Sequence, residues 1–509
     1  MWLPSSGSIS LRVARQDALW LFPHHGPQGL AGMSTAVAPR TSNMQFPPSE
    51  LASLAVEPLM TRDFETRPGS VYARLRGRYG PVAPVDLHGV PVWLVLGYRE
   101  AWEVLRDESK WKKNVQHWRL LREGLVPSDW PLLPAYQVSH LLLSDDQERK
   151  TTRAAVDDAL GPFQDARAPQ SWDLQKAISR HADELITFFA DGSDSGWVDL
   201  GAQFARPLPL MVVNRLFGFP VDQGDDVFMD SWRMVDGGPD AAVAVGRLVA
   251  ATTELAAYKR ENPGDDLTTR LLATDPPLTV EQIGLELYAI LVIASELVSH
   301  AITNSVLEVL DGDAGTQADL MAGPTEELVN RVHIASPPWV NLTARYPVAD
   351  TDLGDFRLAA GDMVIPSIAA AHGDPMFTTT NSYERSVSSR AHLAWGTGPH
   401  QCPGRELADM IVTTAVGRLF ERCDFELGLP ADQLPWRSST YVRGLKSFPV
   451  RFRMRARQAP VAPSPGLPVP APAPVPGLTA PAPEPVAAPA QPARPRSALW
   501  RFLASLRRG

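Results

Sequence analysis

One cysteine of this 509-residue chain lies in a loop punctuated by glycines. The loop reads Trp-Gly-Thr-Gly-Pro-His-Gln-Cys-Pro-Gly over residues 395–404 and leads directly into an apolar-periodic stretch. Glycines such as Gly398 permit tight turns and the close approach of a flat macrocycle. Cys402 lies where the N–H groups and dipole of a following helix favour a thiolate. Such a thiolate can bind haem iron and promote O–O cleavage, and His400, two residues upstream, is placed to reach a haem propionate.

This loop resembles the cysteine-ligand loop of the cytochrome P-450 family, Phe-Gly-x-Gly-x-His/Arg-x-Cys-x-Gly. It matches at every fixed position except the first, where Trp395 replaces phenylalanine. The alternative interpretation of Cys402 is a buried free cysteine that acts as a small apolar residue. Cys423, the only other cysteine, has no glycine-rich neighbourhood and is interpreted as ordinary. The resemblance implies a haem-thiolate monooxygenase of the soluble bacterial type, haem b (iron protoporphyrin IX) as cofactor, and a mainly α fold with a small β-rich lobe.

Three arginines match positions that bind haem propionates in the family. Arg149 and Arg153 lie one turn apart on a predicted helix, where the family has a His-x-x-x-Arg pair. Two guanidinium groups are chemically suited to two carboxylates; the alternative is a solvated basic face shared with Lys150. Arg345 precedes a run of short predicted strands, as a propionate-binding arginine does in the family. Its alternative is a solvated charge at a strand edge.

A long buried helix is predicted in the second half of the chain. The capping-box residues Thr279 and Gln282 predict its start, and the pattern continues to about Leu310. Its middle is apolar on every side, which is typical of a helix in the centre of a large domain. The apolar run stops at Glu296 and is too short for a membrane span. This helix resembles the one that crosses the distal face of the haem in the family.

The same helix departs from the family pattern Ala-Gly-x-Asp/Glu-Thr-Thr. Leu297 and Val298 occupy the positions of the acid and the alcohol that relay protons to bound dioxygen, and neither side chain can exchange protons. Glu296 and Ser299 are therefore the candidate catalytic residues, forming a substitute relay through water with His300. The alternative is that Glu296 pairs with a distant arginine and that His300 is a core histidine.

The Glu-x-x-Arg pair that the family places beneath the cysteine loop is also altered. Glu327 is followed by Asn330 after three residues and by Arg331 after four. Both spacings keep the side chains on one helical face, so a Glu327–Arg331 ion pair is feasible, with a changed direction relative to the loop.

Two strands over 82–87 and 90–95 are predicted near the start of the folded part, joined by a turn at His88 and Gly89. Because proline cannot donate a ladder hydrogen bond, Pro84 and Pro91 predict that both strands lie at a sheet edge.

Composition bounds the class of protein and its organisation. A net charge of −9 argues against nucleic acid as a partner, and two cysteines suit a reducing cytoplasm. We predict an N-terminal extension over 1–44 that is disordered or wrongly included in the gene, and a haem-thiolate domain over 45–455. A Pro/Ala-rich linker is predicted over 456–496. The basic amphipathic tail over 497–509 could contact a membrane surface or a partner protein, or fray without one.

Together with the composition, the resemblance implies a cytoplasmic oxidoreductase that oxidises an apolar small molecule with O₂. Electrons are expected from a separate ferredoxin and ferredoxin reductase, since the chain shows no flavin or nicotinamide segment. The altered central helix keeps two alternatives open. One is a haem-binding protein with little monooxygenase activity, acting as a sensor or complex member; the other is a peroxide-driven haem-thiolate enzyme, which does not need the relay.

Overall fold

The computed structural model describes residues 51–54, 56–236, 240–378, 389–455 and 498–506. Helices form most of this part and short strands form small sheets, which confirms the predicted mainly α fold with a small β-rich lobe. The helices are α1 (Arg62–Thr66), α2 (Pro68–Tyr79), α3 (Tyr98–Arg106), α4 (Arg119–Arg122), α5 (Leu133–Tyr136), α6 (Asp146–Gln164), α7 (Pro169–Ala190), α8 (Pro207–Phe217), α9 (Val221–Asp236), α10 (Ala241–Glu261), α11 (Leu267–Leu272), α12 (Val280–Leu310), α13 (Ala314–Ala322), α14 (Thr325–Ala335), α15 (Ile368–His372), α16 (Pro375–Thr378), α17 (Arg405–Arg422) and α18 (Ala498–Leu506). The strands are β1 (Glu57–Pro58), β2 (Val82–Leu87), β3 (Val90–Val95), β4 (Trp111–Lys112), β5 (Ser195–Asp199), β6 (Tyr346–Pro347), β7 (Thr351–Leu353), β8 (Phe356–Leu358), β9 (Val364–Pro366), β10 (Cys423–Leu427) and β11 (Pro449–Met454).

The 31-residue helix α12 forms the centre of the helical part. The predicted capping box is confirmed, because Thr279 Oγ1 accepts from Gln282 N (3.2 Å) and Gln282 Oε1 accepts from Thr279 N (2.9 Å). Helices α8, α10 and α17 pack around α12, and its apolar residues belong to the largest buried cluster. By length and composition α10 and α12 are apolar enough to cross a bilayer, but 67% of the α12 window is buried inside the protein. We therefore interpret α12 as a core helix.

The predicted hairpin is confirmed as β2 and β3, with His88 and Gly89 both at positive φ in the turn. The predicted edge position is wrong, since the sheet order is β1-β2-β3-β9 and both hairpin strands are internal. The flanking strands are short: β1 pairs with β2 only at residues 85 and 86, and β9 pairs with β3 only at residues 93–95. Pro84 and Pro91 lie outside these paired stretches, so the sheet tolerates their missing N–H groups.

A second sheet, of order β10-β11-β5, joins the C-terminal part of the described domain to the strand after α7. Cys423 begins β10, is fully buried, and lies with its Sγ 3.5 Å from the sulfur of Met454. It is remote in the fold from the cysteine loop, which precedes α17.

The C-terminal helix α18 packs on the chain's own surface. Leu503 is fully buried. The ring centroid of Phe502 lies 5.1 Å from that of Trp232 of α9, and the ring centroid of Trp500 lies 5.0 Å from that of Phe188 of α7. The apolar face that the sequence offered to a membrane or a partner is thus covered within the same chain. The predicted extension over 1–44 and linker over 456–496 lie outside the described residues.

Candidate active site

Cys402 borders a cavity of about 240 Å³ between α12 and α17. Its loop is closed by a hydrogen bond from Cys402 N to Trp395 O (2.9 Å), and α17 begins three residues after the cysteine. Gly396 and Gly398 both have positive φ (67° and 73°), as tight turning requires. The loop thereby presents the sulfur to the cavity from the N-terminal end of α17.

Gly398 is required for packing as well as for backbone geometry. A Cβ there would lie 2.8 Å from Arg106 Cα and 2.9 Å from Leu105 O. The sequence predicted that this glycine allows close approach of a macrocycle. The close neighbour seen in the structure is the end of α3, so Gly398 also sets the distance between the loop and α3.

Burial raises the pKa of the Cys402 thiol to about 11, although a hydrogen bond from Gly404 and the charge of Arg153 oppose the shift. The helix N-terminus predicted to favour the thiolate therefore does not by itself overcome desolvation. A thiolate at this position needs a bound cation, and a coordinated metal supplies that charge and deprotonates the thiol.

One wall of the cavity is an apolar face of α12. The residues of this face recur every three or four positions, as expected for one side of a helix. They are Ala289, Ile290, Ile293, Ala294, Leu297, Val298 and Ala301.

Basic side chains occupy another part of the lining. Arg153, Arg345, His400 and Lys113 all border the cavity. Arg345 is 2% exposed and burial lowers its pKa to about 10, while burial and the charge of Arg345 lower the pKa of Lys113 far below its usual value. Among the described residues His400 Nε2 has no hydrogen-bond partner, and burial and the surrounding cations lower the pKa of this imidazole. Positive groups crowded at a cavity wall are costly, and the nearby Asp145 carboxylate offsets part of that cost for Lys113 and Arg345.

Lys113 was missed by the sequence reasoning. It follows directly after the short strand β4 and next to a second lysine, Lys112. Its backbone N donates to both carboxylate oxygens of Asp145 (2.9 and 3.0 Å). A lysine that is 1% exposed has no local sequence signature; only the packing of β4 against the start of α6 reveals it.

In the structure, Arg149 is placed differently from Arg153. It does not border the cavity in the described structure, because its guanidinium forms an ion pair with Glu108 (Nε to Oε1, 2.6 Å; Nη2 to Oε2, 3.1 Å) and donates to Pro399 O (3.2 Å). Arg153 pairs with Asp157 and donates to Gln401 O (2.6 Å). Both arginines thus tie the carbonyls of the cysteine loop to α6, and only Arg153 also reaches the cavity.

Glu296 and Ser299 are not brought to Cys402, which corrects the substitute relay. Both are buried, yet neither is among the residues that line the cavity. Glu296 Oε2 lies 2.9 Å from His300 Nε2, and Glu296 borders a separate small cavity with Arg206. The physical reason is the helical repeat: a residue beside Leu297 is turned about 100° from it. The positions of the missing acid and alcohol, Leu297 and Val298, do face the cavity.

The ion pair suggested between Glu327 and Arg331 is not formed. Glu327 pairs with Arg390 and Arg331 pairs with Glu308. The residue of α14 that faces the cysteine loop is His333, whose ring lies 4.7 Å from that of Trp395 and whose Nε2 lies 3.1 Å from Asp409 Oδ1. Asn330, on the same helix, donates to Ser389 O (3.4 Å).

The donor set fits haem b. A sulfur borders a largely apolar space, and the basic side chains at its wall, with the unpartnered His400 Nε2 among them, suit the two propionates of a flat macrocycle. Trp395 Nε1, Trp339 Nε1 and Thr343 Oγ1 are further buried polar atoms of the lining that lack a hydrogen bond within the described residues.

Comparison with known proteins gives the same picture. Residues 335–440 match the family model described as Cytochrome P-450. Cytochrome P-450 107B1 of Saccharopolyspora erythraea is 31% identical over 398 residues, covering 75% of this chain and 94% of the relative. The cytochrome P-450 monooxygenase PikC of Streptomyces venezuelae is 30% identical over 412 residues, covering 78% and 94%.

The fold is likewise shared with solved structures. CYP154C4 from Streptomyces sp. W2061 is 26% identical, with a TM-score of 0.68 over 78% of this chain and 98% of its own. With a cysteine-bordered cavity, a long central helix and relatives of this kind, the chain belongs to the cytochrome P-450 family of haem b monooxygenases.

Proposed function

We propose that Cys402 is the residue whose thiolate would hold the haem iron and that the enzyme oxidises an apolar small molecule. The single observation that carries this proposal is the position of the Cys402 sulfur at an otherwise apolar cavity with cations along its wall. Haem held by a thiolate activates dioxygen. In the overall reaction one oxygen atom enters the substrate and the other leaves as water, which consumes two electrons and two protons.

The cofactor is proposed to be oriented by Arg153, Arg345 and His400, with Lys113 as an additional partner of the propionates. These four groups border the cavity, whereas Arg149, whose guanidinium pairs with Glu108, does not. Gly398 contributes indirectly, because its contact with α3 keeps the loop in place.

The apolar face of α12 supports an apolar substrate. It excludes water from the region beside Leu297 and Val298 and provides dispersion contacts with hydrocarbon. The electrons are proposed to come from a separate ferredoxin and ferredoxin reductase in the cytoplasm, as is general for bacterial members of the family.

A second candidate function is peroxide-driven oxidation, or haem binding with little turnover. The observation that favours it is the absence of a proton donor among the described α12 residues that line the cavity between positions 289 and 301. Without a positioned acid on this face, proton delivery within the cavity would depend on water, and positioned groups typically accelerate proton transfers about 10²–10⁴-fold.

Two experiments test the proposal. Haem-loaded Cys402→Ala should lose the red-shifted Soret band of the carbon monoxide complex, whereas Cys423→Ala, which changes a buried thiol remote from the cavity, should keep it. Equal loss in both variants would contradict the ligand assignment.

The two candidate functions are distinguished by the oxidant that supports product formation. Product formed with ferredoxin, reductase and NADPH supports the monooxygenase. Product formed only with added hydrogen peroxide, or quantitative release of peroxide without product, supports the second candidate.

A further inference from the structure

Glu286 is the one carboxylate among the described residues that border the Cys402 cavity. It lies in the second turn of α12 and is 5% exposed. Its Oε1 accepts a hydrogen bond from Leu141 N at 2.6 Å. Within the described part of the chain no other hydrogen bond or ion pair of this side chain is found. One carboxylate oxygen is therefore tied to the backbone, and the other is available to a molecule in the cavity.

The charge of Glu286 is not balanced by the cavity cations. Burial raises the pKa of this carboxyl to about 7; the Leu141 N–H opposes that shift, and the nearby Glu148 adds to it. None of the cations at the cavity wall is among the groups that stabilise its ionised form. A buried carboxylate without a counterion is costly, and a cation placed beside it recovers part of that cost.

The position of Glu286 along α12 determines its distance from Leu297 along the cavity wall. Glu286, Ile290, Ile293 and Leu297 follow one another at intervals of three or four residues and all face the cavity. Leu297 is eleven positions after Glu286, which corresponds to about 16 Å along the helix axis. The acid is thus at one end of an apolar wall, and Leu297 and Val298, which occupy the positions of the family's acid and alcohol, are near the other.

We propose that Glu286 is a substrate-recognition residue that binds a cationic nitrogen at one end of an otherwise apolar substrate. The nitrogen is held about 16 Å along α12 from the level of Leu297, so oxidation occurs at a carbon far from the charged group. The substrate class is therefore an elongated amine or quaternary ammonium compound with a hydrocarbon body. This inference rests on the proposed function, because it assumes that the cavity holds haem and substrate together.

The test uses the haem-loaded full chain and two ligands of similar length. Decyltrimethylammonium has a permanent charge and no lone pair for iron, and 1-decanol is neutral. Both are titrated at pH 8 and below micelle formation, by the Soret shift and, independently of haem absorbance, by isothermal titration calorimetry. Glu286→Gln is the matched variant, since its side-chain oxygen still accepts from Leu141 N while the charge is removed.

We expect the parent protein to bind decyltrimethylammonium at least about tenfold more tightly than decanol, which is a difference of about 1.4 kcal/mol. Glu286→Gln should lose this preference and bind decanol as the parent does. Equal affinity for both ligands in the parent, or an unchanged preference in the variant, would overturn the proposal. Loss of decanol binding in the variant would also overturn it and would assign Glu286 a structural role. Failure of the chain to form thiolate-ligated haem would instead overturn the proposed function.

Discussion

At the scale of single residues, the site depends on two different properties of its loop. Cys402 supplies the chemistry, and Gly398 supplies the geometry that lets the loop lie against α3. The buried thiol has a pKa of about 11, so the metal rather than the local backbone must stabilise its anion. Correct placement of the sulfur then matters more than local activation of the thiol, and placement depends on the loop's glycines.

Gly398→Ala is predicted to impair haem incorporation and stability. The new Cβ would meet the backbone of Arg106 at 2.8 Å, and φ of 73° is strained for alanine. Strain of this kind costs about 1–3 kcal/mol, before the clash is relieved. The measurements are haem content per chain and the midpoint of thermal unfolding.

Gly124→Ala is the control for backbone strain alone. Gly124 has a similar φ of 69° but has nothing within 4 Å of an added Cβ. It should lower the unfolding midpoint slightly and leave haem content unchanged. If both variants lose haem equally, the contact with α3 is not what makes Gly398 necessary.

At the scale of elements, two faces of α12 have different surroundings. One face borders the Cys402 cavity and is apolar over residues 289–301, and another buries Glu296 beside His300. The polar residues of this stretch therefore contribute to the interior of the fold and not to the cavity. Any gain in proton delivery has to come from changing the cavity face.

Val298→Thr is predicted to raise coupling, measured as product formed per NADPH consumed. Threonine has nearly the shape of valine and adds a hydroxyl where Val298 borders the cavity. Part of the roughly 10²–10⁴-fold benefit of a positioned proton donor should be recovered. The increase should be accompanied by less peroxide release.

Ser299→Ala is the matched control on the neighbouring position. Ser299 is buried but does not line the cavity in the described structure, so its coupling should equal that of the parent. A drop in coupling for Ser299→Ala, together with no change for Val298→Thr, would restore the relay suggested by the sequence.

At the scale of the whole molecule, the C-terminal helix is a separate segment that returns to the domain. Helix α18 lies against α7 and α9 through Trp500, Phe502 and Leu503. Trp232 contacts this helix and also borders the small cavity that Glu296 lines, so the docked tail supports a different side of α12 from the one that borders the active-site cavity.

Leu503→Asp is predicted to release α18 and leave the haem domain folded. A charge at a fully buried position cannot be accommodated, but the helix can detach without unfolding the rest. Hydrogen exchange of residues 498–506 should become fast, and the summed tryptophan emission, to which Trp500 is one of 14 contributors, should shift to the red. Ser505→Asp, at an exposed position of the same helix, should change neither; an effect of equal size in both variants would contradict the docked arrangement.

The sequence by itself determined the local features of this protein: the cysteine loop, the capping box and length of α12, the β2–β3 hairpin and the family. Each depends on residues close together in the chain, where spacing directly constrains geometry. The tertiary structure decided which further side chains share the cavity and which of the predicted ones do not. It brought Lys113 and Glu286 to the wall, turned Glu296 and Ser299 away, paired Arg149 with Glu108, and covered the tail helix. The burial of a side chain and the cavity that it borders depend on contacts between segments that are distant in the chain. A rotation of about 100° per helical residue is also enough to move a side chain from one environment to another.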